Sequence, residues 1–510
     1  MSYERHDFSI LARDTGSPYL RNRLWTGSFF QYPELLGVER IRAGIVSRED
    51  VIEYVVDLST WQTAHEALVT KIEADSEYLE FLIDQSLRHG AEMNAWTEKH
   101  MFRADLTGLS GLELMSLLEE FIRLQAKEYA YGTAIPVLDY SNLAFVEGQI
   151  ERILSDHVPP SKRLEYYATF TEPESDSFAR EEEKDLLRLT EKYWDVRGWR
   201  ESVRTKEFEE LSRLYPEFGS ELSKHAAQYA WIHYVFAGLS YTESDFLSMI
   251  ADIVKEGIRP AERLLAFETK RTSAIVAKER LLKELEVDDF DTFILRIAGK
   301  VVWSKPRRKD LQSRSYYHAE KLLKEIGARL SRNLETIRST PIDTLRCALE
   351  EKEVDWSMSE EIFSFHICLP NDDGTVTTLY GDEAREFSAH SIRRTDTFHD
   401  FSDSKEITGS TACAGEAFGR AKIVNTPEDM SKMEAGDILV SMATTPSIVP
   451  AMKKASAILT DEGGLTCHAS IVSRELGIPC VVGLKAVTKF VSDGDRLEVD
   501  ATRGIVRKSD

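Results

Sequence analysis

The chain has 510 residues, 42% of them hydrophobic and 30% charged, enough to bury cores in roughly two to four domains. A formal charge of −23 argues against a nucleic-acid partner, because Lys and Arg must neutralise phosphates to supply that affinity. No apolar run approaches the ~18 residues of a membrane-spanning helix, and the opening MSYERHDFSILARD lacks a signal-peptide core, so the chain reads as cytoplasmic with no membrane partner.

In chain order, Ser76–His100, Gly111–Tyr131, Glu207–Phe236, Glu243–Lys255, Pro260–Leu285 and Tyr316–Leu334 place apolar residues three and four apart among many Glu and Lys. That spacing predicts packed amphipathic helices. Residues 159–183 are richer in Pro, Ser, Thr and charge, and mark a possible subdivision of the helical region. The aromatic run Tyr229–Phe236 reads as a core-facing helix with His233 at its boundary, or as the lining of a substrate cavity. The basic cluster Lys305, Arg307, Arg308, Lys309 and Arg314 reads as a solvated loop, or as a patch that receives phosphate or docks a partner. A β-hairpin is expected over 362–380, turning at Asn371-Asp372-Asp373-Gly374. Residues 388–405 are polar and poorly periodic, which suits a linker. The fold class expected is multidomain α+β: a mainly helical domain over 1–387, the linker over 388–405, and a separate domain over 406–510. The five cysteines have no metal-ligand spacing and read as free thiols, with no metal site.

The most informative stretch is AILTDEGGLTCHASIVSRELGIPCVVG, residues 457–483. Ala457–Thr460 is an apolar run ending at Asp461-Glu462-Gly463-Gly464, the pattern of a buried strand breaking into a loop with unusual backbone angles. Beyond it Ala469, Val472 and Leu476 form one stripe, and Gly477 and Pro479 supply a stop, so a short helix is expected. With Thr466 as N-cap, His468 lies in the first turn, where unpaired backbone N–H groups and the positive end of the helix dipole stabilise an anion. An imidazole with an ordinary pKa near ~6.5 is largely unprotonated at neutral pH and is nucleophilic toward phosphorus. By position alone, a histidine near a helix start is more often a cap or a satisfied surface residue than a nucleophile.

The stretch GGLTCHASIVSRELGIPCVVG resembles the phosphohistidine signature of phosphoenolpyruvate-utilising enzymes: phosphoenolpyruvate synthase, pyruvate phosphate dikinase, rifampin phosphotransferase and their relatives. The resemblance extends through Gly415–Ala421, Gly436–Val440, Thr444–Met452, Asp493–Asp500 and Gly504–Val506, covering about residues 406–510. It implies a β/β/α swivelling domain whose histidine takes phosphate at one active site and delivers it at another. His468 is then the catalytic histidine, with Gly463, Gly464, Thr466 and Arg474 supporting the phosphate. Arg474 matches an arginine that follows the family's histidine, and Thr466 matches a threonine some dikinases phosphorylate for regulation. Ser470 stands where alanine is common.

The resemblance implies a phosphotransferase component that carries phosphate from ATP on His468 to an acceptor. No P-loop or nucleotide-holding glycine-rich strand is evident, so ATP and Mg2+ are expected on a partner chain, an ATP-grasp nucleotide-binding protein. The chain ends soon after the signature, which leaves no room for a phosphoenolpyruvate-binding barrel. The acceptor is a small molecule such as pyruvate or a hydroxyl compound. The other reading is a non-catalytic regulatory or docking protein that retains the swivelling domain.

Overall fold

A computed structural model describes residues 8–15, 17–48, 51–139, 144–393, 406–426, 428–444, 448–464 and 467–509. The chain forms two compact units, Met1–Glu147 with His318–Asp510, and Gly148–Tyr317. The subdivision therefore falls at 147/148 and again at 317/318. The proline-rich stretch 159–183 lies inside the second unit, where residues Arg163–Thr171 and those from Phe178 onward are helical.

The first unit opens with a six-stranded sheet that the sequence reading anticipated only in its hairpin. Its strands are β1 (Phe8–Thr15), β2 (Ala43–Arg48), β3 (Val51–Val56), β4 (Phe365–Pro370), β5 (Val376–Tyr380) and β6 (Ile392–Arg393), ordered β5-β4-β2-β3-β1-β6. β4 and β5 pair antiparallel from His366↔Tyr380 to Pro370↔Val376, around the expected turn. Residues 362–364 of the expected hairpin close a preceding helix, Ser357–Ser364. The first three strands escaped notice because β3 reads VIEYVV, and short apolar runs do not separate strand from buried helix by period. Its central Glu53 is buried and held by Arg13 Nε at 3.2 Å and Arg48 Nη1 at 3.6 Å.

Helices pack beside this sheet. Leu58–Ala74 starts at Asp57, whose carboxylate accepts from the Ser59 and Thr60 amides. Glu77–Thr97 follows, and Gly111–Leu138 opens with a reciprocal Ser110/Glu113 capping box. The first residues of the expected linker are ordered: Gly381–Ser391 is helical and β6 follows, while 394–405 lie outside the described residues.

The C-terminal residues form a second sheet of eight strands: β7 (Glu406–Thr408), β8 (Ser410–Cys413), β9 (Glu416–Ile423), β10 (Ile438–Ser441), β11 (Ala457–Thr460), β12 (Cys480–Val482), β13 (Arg496–Asp500) and β14 (Ile505–Ser509). Their order is β7-β14-β13-β9-β10-β11-β12-β8. β9, β10, β11 and β12 run parallel and the flanking strands antiparallel. β10 and β11 are buried at every position, as central parallel strands covered on both faces must be. This region holds cores of its own, one around Val440, Leu459 and Val499 and another around Leu439, Ile458 and Val472. The chain is thus mixed α+β, with a large helical region ahead of a C-terminal β-rich one.

The second unit is helical around an aromatic core of Tyr193, Trp199, Phe218, Trp231 and Phe246. The run Tyr229–Phe236 contributes to that burial but not as a helix. Pro216–Tyr229 ends there, and Val235 and Phe236 take positive φ angles of 42° and 81° in the turn that follows. The basic cluster Lys305–Arg314 is likewise no loop; it lies within the helix Asp289–Leu330. Arg307 ion-pairs with Glu181 at 2.8 Å and lies 3.3 Å from the Phe178 ring centroid, while Arg314 lies over Trp231. None of the five cysteines forms a disulfide, and no described helix is long and apolar enough to cross a membrane.

Asp310 is buried on that helix, and desolvation lifts its carboxyl from an ordinary 3.8 to about 7, against the opposing pull of Arg307 and Lys309 and with a push from Glu181. Because the folded-state value lies above the unfolded one, stability from this group is complete below pH 3.8 and is lost as pH rises toward 7. Asp310→Asn should remove that loss, stabilising the chain by roughly 2–4 kcal/mol at pH 8 and little at pH 4. Thermal unfolding at both pH values checks this; a variant no more stable than wild type at pH 8 contradicts it.

Candidate functional site

The site stands where two neighbouring parallel strands end. β10 and β11 pair from Ile438↔Ala457 to Ser441↔Thr460, so their carboxyl ends are level. Ligands in open parallel sheets bind beyond such ends. The chain leaving β10 reaches Thr444 within three residues, and the chain leaving β11 makes the loop that leads to His468.

Two kinds of bond hold that loop in place. The Asp461 amide donates to the Ser441 carbonyl at 3.0 Å and the Glu462 amide to the Met442 carbonyl at 2.9 Å. The Asp461 carboxylate accepts from the Thr488 amide at 2.9 Å and from the Thr488 hydroxyl. Burial raises the Asp461 carboxyl above its ordinary range, and these Thr488 bonds oppose the rise. Burial also raises Glu462, whose charge Arg13 favours and Asp461 disfavours.

The two glycines meet different neighbours, and the first is required. Gly463 has φ +113°, and a side-chain carbon there would meet Cys467 Sγ at 2.7 Å. Gly464 lies against Glu147, where such a carbon would sit 3.3 Å from the carboxylate Oε2. The Gly464 carbonyl accepts from the Cys467 amide at 3.1 Å and from the Ser470 hydroxyl at 2.9 Å. Ser470 thus braces the loop from inside the following helix.

That helix is His468–Leu476, with Cys467 as N-cap at φ −75° and ψ 168° and no side-chain cap bond. The expectation of Thr466 as N-cap is corrected by one residue; Thr466 itself lies outside the described residues. His468 is therefore the first helical residue, as near the positive end of the helix as a side chain gets. Its Nδ1 lies 2.8 Å from Thr444 Oγ1. With the hydroxyl accepting, the ring proton is fixed on Nδ1 and the nucleophilic lone pair on Nε2. Arg474 is in the last turn, about 9 Å further along the axis, and its Nε donates to the Ser470 carbonyl at 2.9 Å.

A family model described as "PEP-utilising enzyme, mobile domain" matches residues 433–504, which include β10, β11, the loop and the histidine-bearing helix. Residues 433–504 are thus similar to the mobile domain of PEP-utilising enzymes. A probable phosphoenolpyruvate synthase of Archaeoglobus fulgidus is 55% identical over 100 residues, 20% of this chain and 13% of that protein. The phosphoenolpyruvate synthase of Pseudomonas aeruginosa is 35% identical over 189 residues, 35% of this chain and 24% of that one. The chain thus spans well under a third of the curated relatives it matches. Among solved structures, Thermococcus kodakaraensis aconitase X matches at 20% identity with a TM-score of 0.17, covering 21% of this chain and 98% of that one.

Of the residues singled out from sequence, His468, Gly463 and Gly464 meet in the mobile domain's loop. Thr444 and Glu147 were not anticipated as site residues. Thr444 lay within a recognised stretch, and the level ends of adjacent parallel strands are the signal that pairs it with the histidine. Glu147 arrives from more than 300 residues upstream with no local motif.

Gly463→Ala should destabilise the chain by roughly 1–3 kcal/mol, through the positive φ and the contact with Cys467. Denaturant unfolding measures this, and wild-type stability in the variant would contradict the loop geometry.

Proposed function

We propose that the chain is the phosphoryl-carrying component of a phosphotransferase of the phosphoenolpyruvate synthase type. His468 takes a phosphoryl group from ATP on an ATP-grasp partner chain and passes it to a small-molecule acceptor, pyruvate or a hydroxyl compound. The observation that carries this reading is the Thr444–His468 bond beside the positive end of the helix, within a domain whose relatives are named phosphoenolpyruvate synthases.

The chemistry divides one difficult transfer into two easier ones. Nε2 attacks phosphorus, the nucleotide's P–O bond breaks and the P–N bond forms, while Nδ1 keeps its proton against Thr444. The ring is then cationic, so in the second transfer it departs as neutral imidazole instead of an imidazolate. First-turn amides and the helix dipole stabilise the phosphoryl oxygens. Thr466 and the long side chain of Arg474 supply further support to the phosphate. Mg2+, held with the nucleotide on the partner, neutralises charge developing on the phosphates. Swinging of the mobile domain between partner and acceptor separates the two transfers.

Incubating the chain with ATP labelled at the β or γ position and a candidate ATP-grasp partner should place acid-labile label on it. His468→Ala should abolish the label. Thr444→Val should slow labelling by about tenfold or more, as loss of an orienting partner does elsewhere, and Thr444→Ser should largely restore it. Label that survives His468→Ala, or no label in wild type, contradicts the carrier reading.

A further inference from the structure

The second transfer leaves a proton to be placed. When an acceptor hydroxyl forms its bond to phosphorus and the P–Nε2 bond breaks, the electron pair returns to Nε2, Nδ1 retains its hydrogen, and the hydroxyl proton needs another base. His468 is thus unsuited to be that base in the same step if its Nδ1 stays protonated. Resting on the carrier reading of His468, we propose that Glu147 takes this proton and that the acceptor is a neutral hydroxyl compound.

Geometry points to Glu147. Its carboxylate lies against Gly464, with Oε2 3.3 Å and Oε1 3.7 Å from the position a side-chain carbon there would take. The Gly464 carbonyl is in turn bonded to the Cys467 amide and the Ser470 hydroxyl, which flank His468 in the chain. A side-chain carbon at 464 would press on that carboxylate and push it back by a few tenths of an ångström. Glu147 is also held from behind. It is the third residue of the helix Phe145–His157, and its amide donates at 3.3 Å to the carboxylate of Asp139, which follows the helix Gly111–Leu138. The backbone that carries Glu147 is thereby anchored to Asp139, which favours a positioned proton acceptor.

The charge around the loop selects the acceptor. Three carboxylates, Glu147, Asp461 and Glu462, lie on or in it. Arg13, the cation whose charge favours ionised Glu462, is already paired with buried Glu53 at 3.2 Å. A carboxylate-bearing acceptor entering there would meet the like charge of Glu147, whereas a neutral hydroxyl meets a base. The step balances. The acceptor O–H proton goes to the Glu147 carboxylate, its oxygen bonds phosphorus, and imidazole leaves neutral with its Nδ1 proton in place.

The full-length chain can be loaded chemically with phosphoramidate, which phosphorylates histidine without a partner protein, and its acid-labile phosphate followed over time after normalising to the loaded fraction. At pH 8, where acid-driven hydrolysis of phosphohistidine is slow, discharge to water should be at least tenfold slower in Glu147→Gln, and Glu147→Asp should recover part of the rate. Glycerol should speed discharge of wild type more than glycerate does. An unchanged rate in Glu147→Gln would overturn the role of Glu147, and discharge by glycerate at or above the rate with glycerol would overturn the acceptor class. Loading that persists in His468→Ala would instead remove the carrier reading on which both rest.

Discussion

The hydrogen bond between Thr444 and His468 is the constraint on which the functional geometry depends. A free imidazole exchanges its proton between two nitrogens and turns about two bonds, so neither its lone pair nor its direction is defined. A hydroxyl 2.8 Å from Nδ1 sets the direction and, where it accepts, puts the proton on Nδ1. That hydroxyl and that ring come from segments 24 residues apart, and they meet because β10 and β11 are paired in register up to Ser441 and Thr460. A slip of one residue in either strand would turn every side chain beyond it to the other face. The hydrophobic burial of two four-residue strands therefore decides the chemistry of one nitrogen.

The loop between strand and helix spends its polar groups on holding its own shape. Asp461 grips Thr488, Ser470 grips Gly464, and the amides of Asp461 and Glu462 extend the ladder toward the end of β10. A histidine placed this way is preorganised, which suits the proposed carrier role, since little conformational entropy would be lost on meeting a phosphoryl donor. The glycines serve the same end from the opposite direction, one by allowing a left-handed turn and the other by letting a distant carboxylate approach the backbone. On the proposed carrier reading, carboxylates near the ring are costly while phosphate is on it. In a relay that cost favours onward transfer over retention.

Much of this was legible in the sequence, and what was not has physical causes. The strand Ala457–Thr460, the glycine break and the amphipathic stripe Ala469, Val472, Leu476 locate the histidine to the first helical turn, because all these signals are local. The cap was displaced by one residue because Cys467 serves as N-cap through its backbone angles alone, without the side-chain bond that makes Ser or Thr recognisable. Helices such as Pro260–Leu285 came through with both ends correct, Pro at one end and a left-handed residue at the other marking its limits. The strands Ala43–Arg48 and Val51–Val56 did not, since a sheet buried on both faces loses the alternation that identifies strands. The helix placed over Glu207–Phe236 failed because Pro216 begins a new helix and Val235 and Phe236 adopt angles unusual for such residues. Division of the helical region at 147/148 and 317/318 depends on packing between distant segments, which no composition window records.

The most direct test of the central claim is to identify which ring nitrogen carries phosphorus. Alkaline digestion of the labelled chain releases phosphohistidine with its P–N bond intact, and the two isomers separate by chromatography. If Thr444 holds Nδ1, the label emerges as the Nε2 isomer; recovery as the Nδ1 isomer would contradict the account.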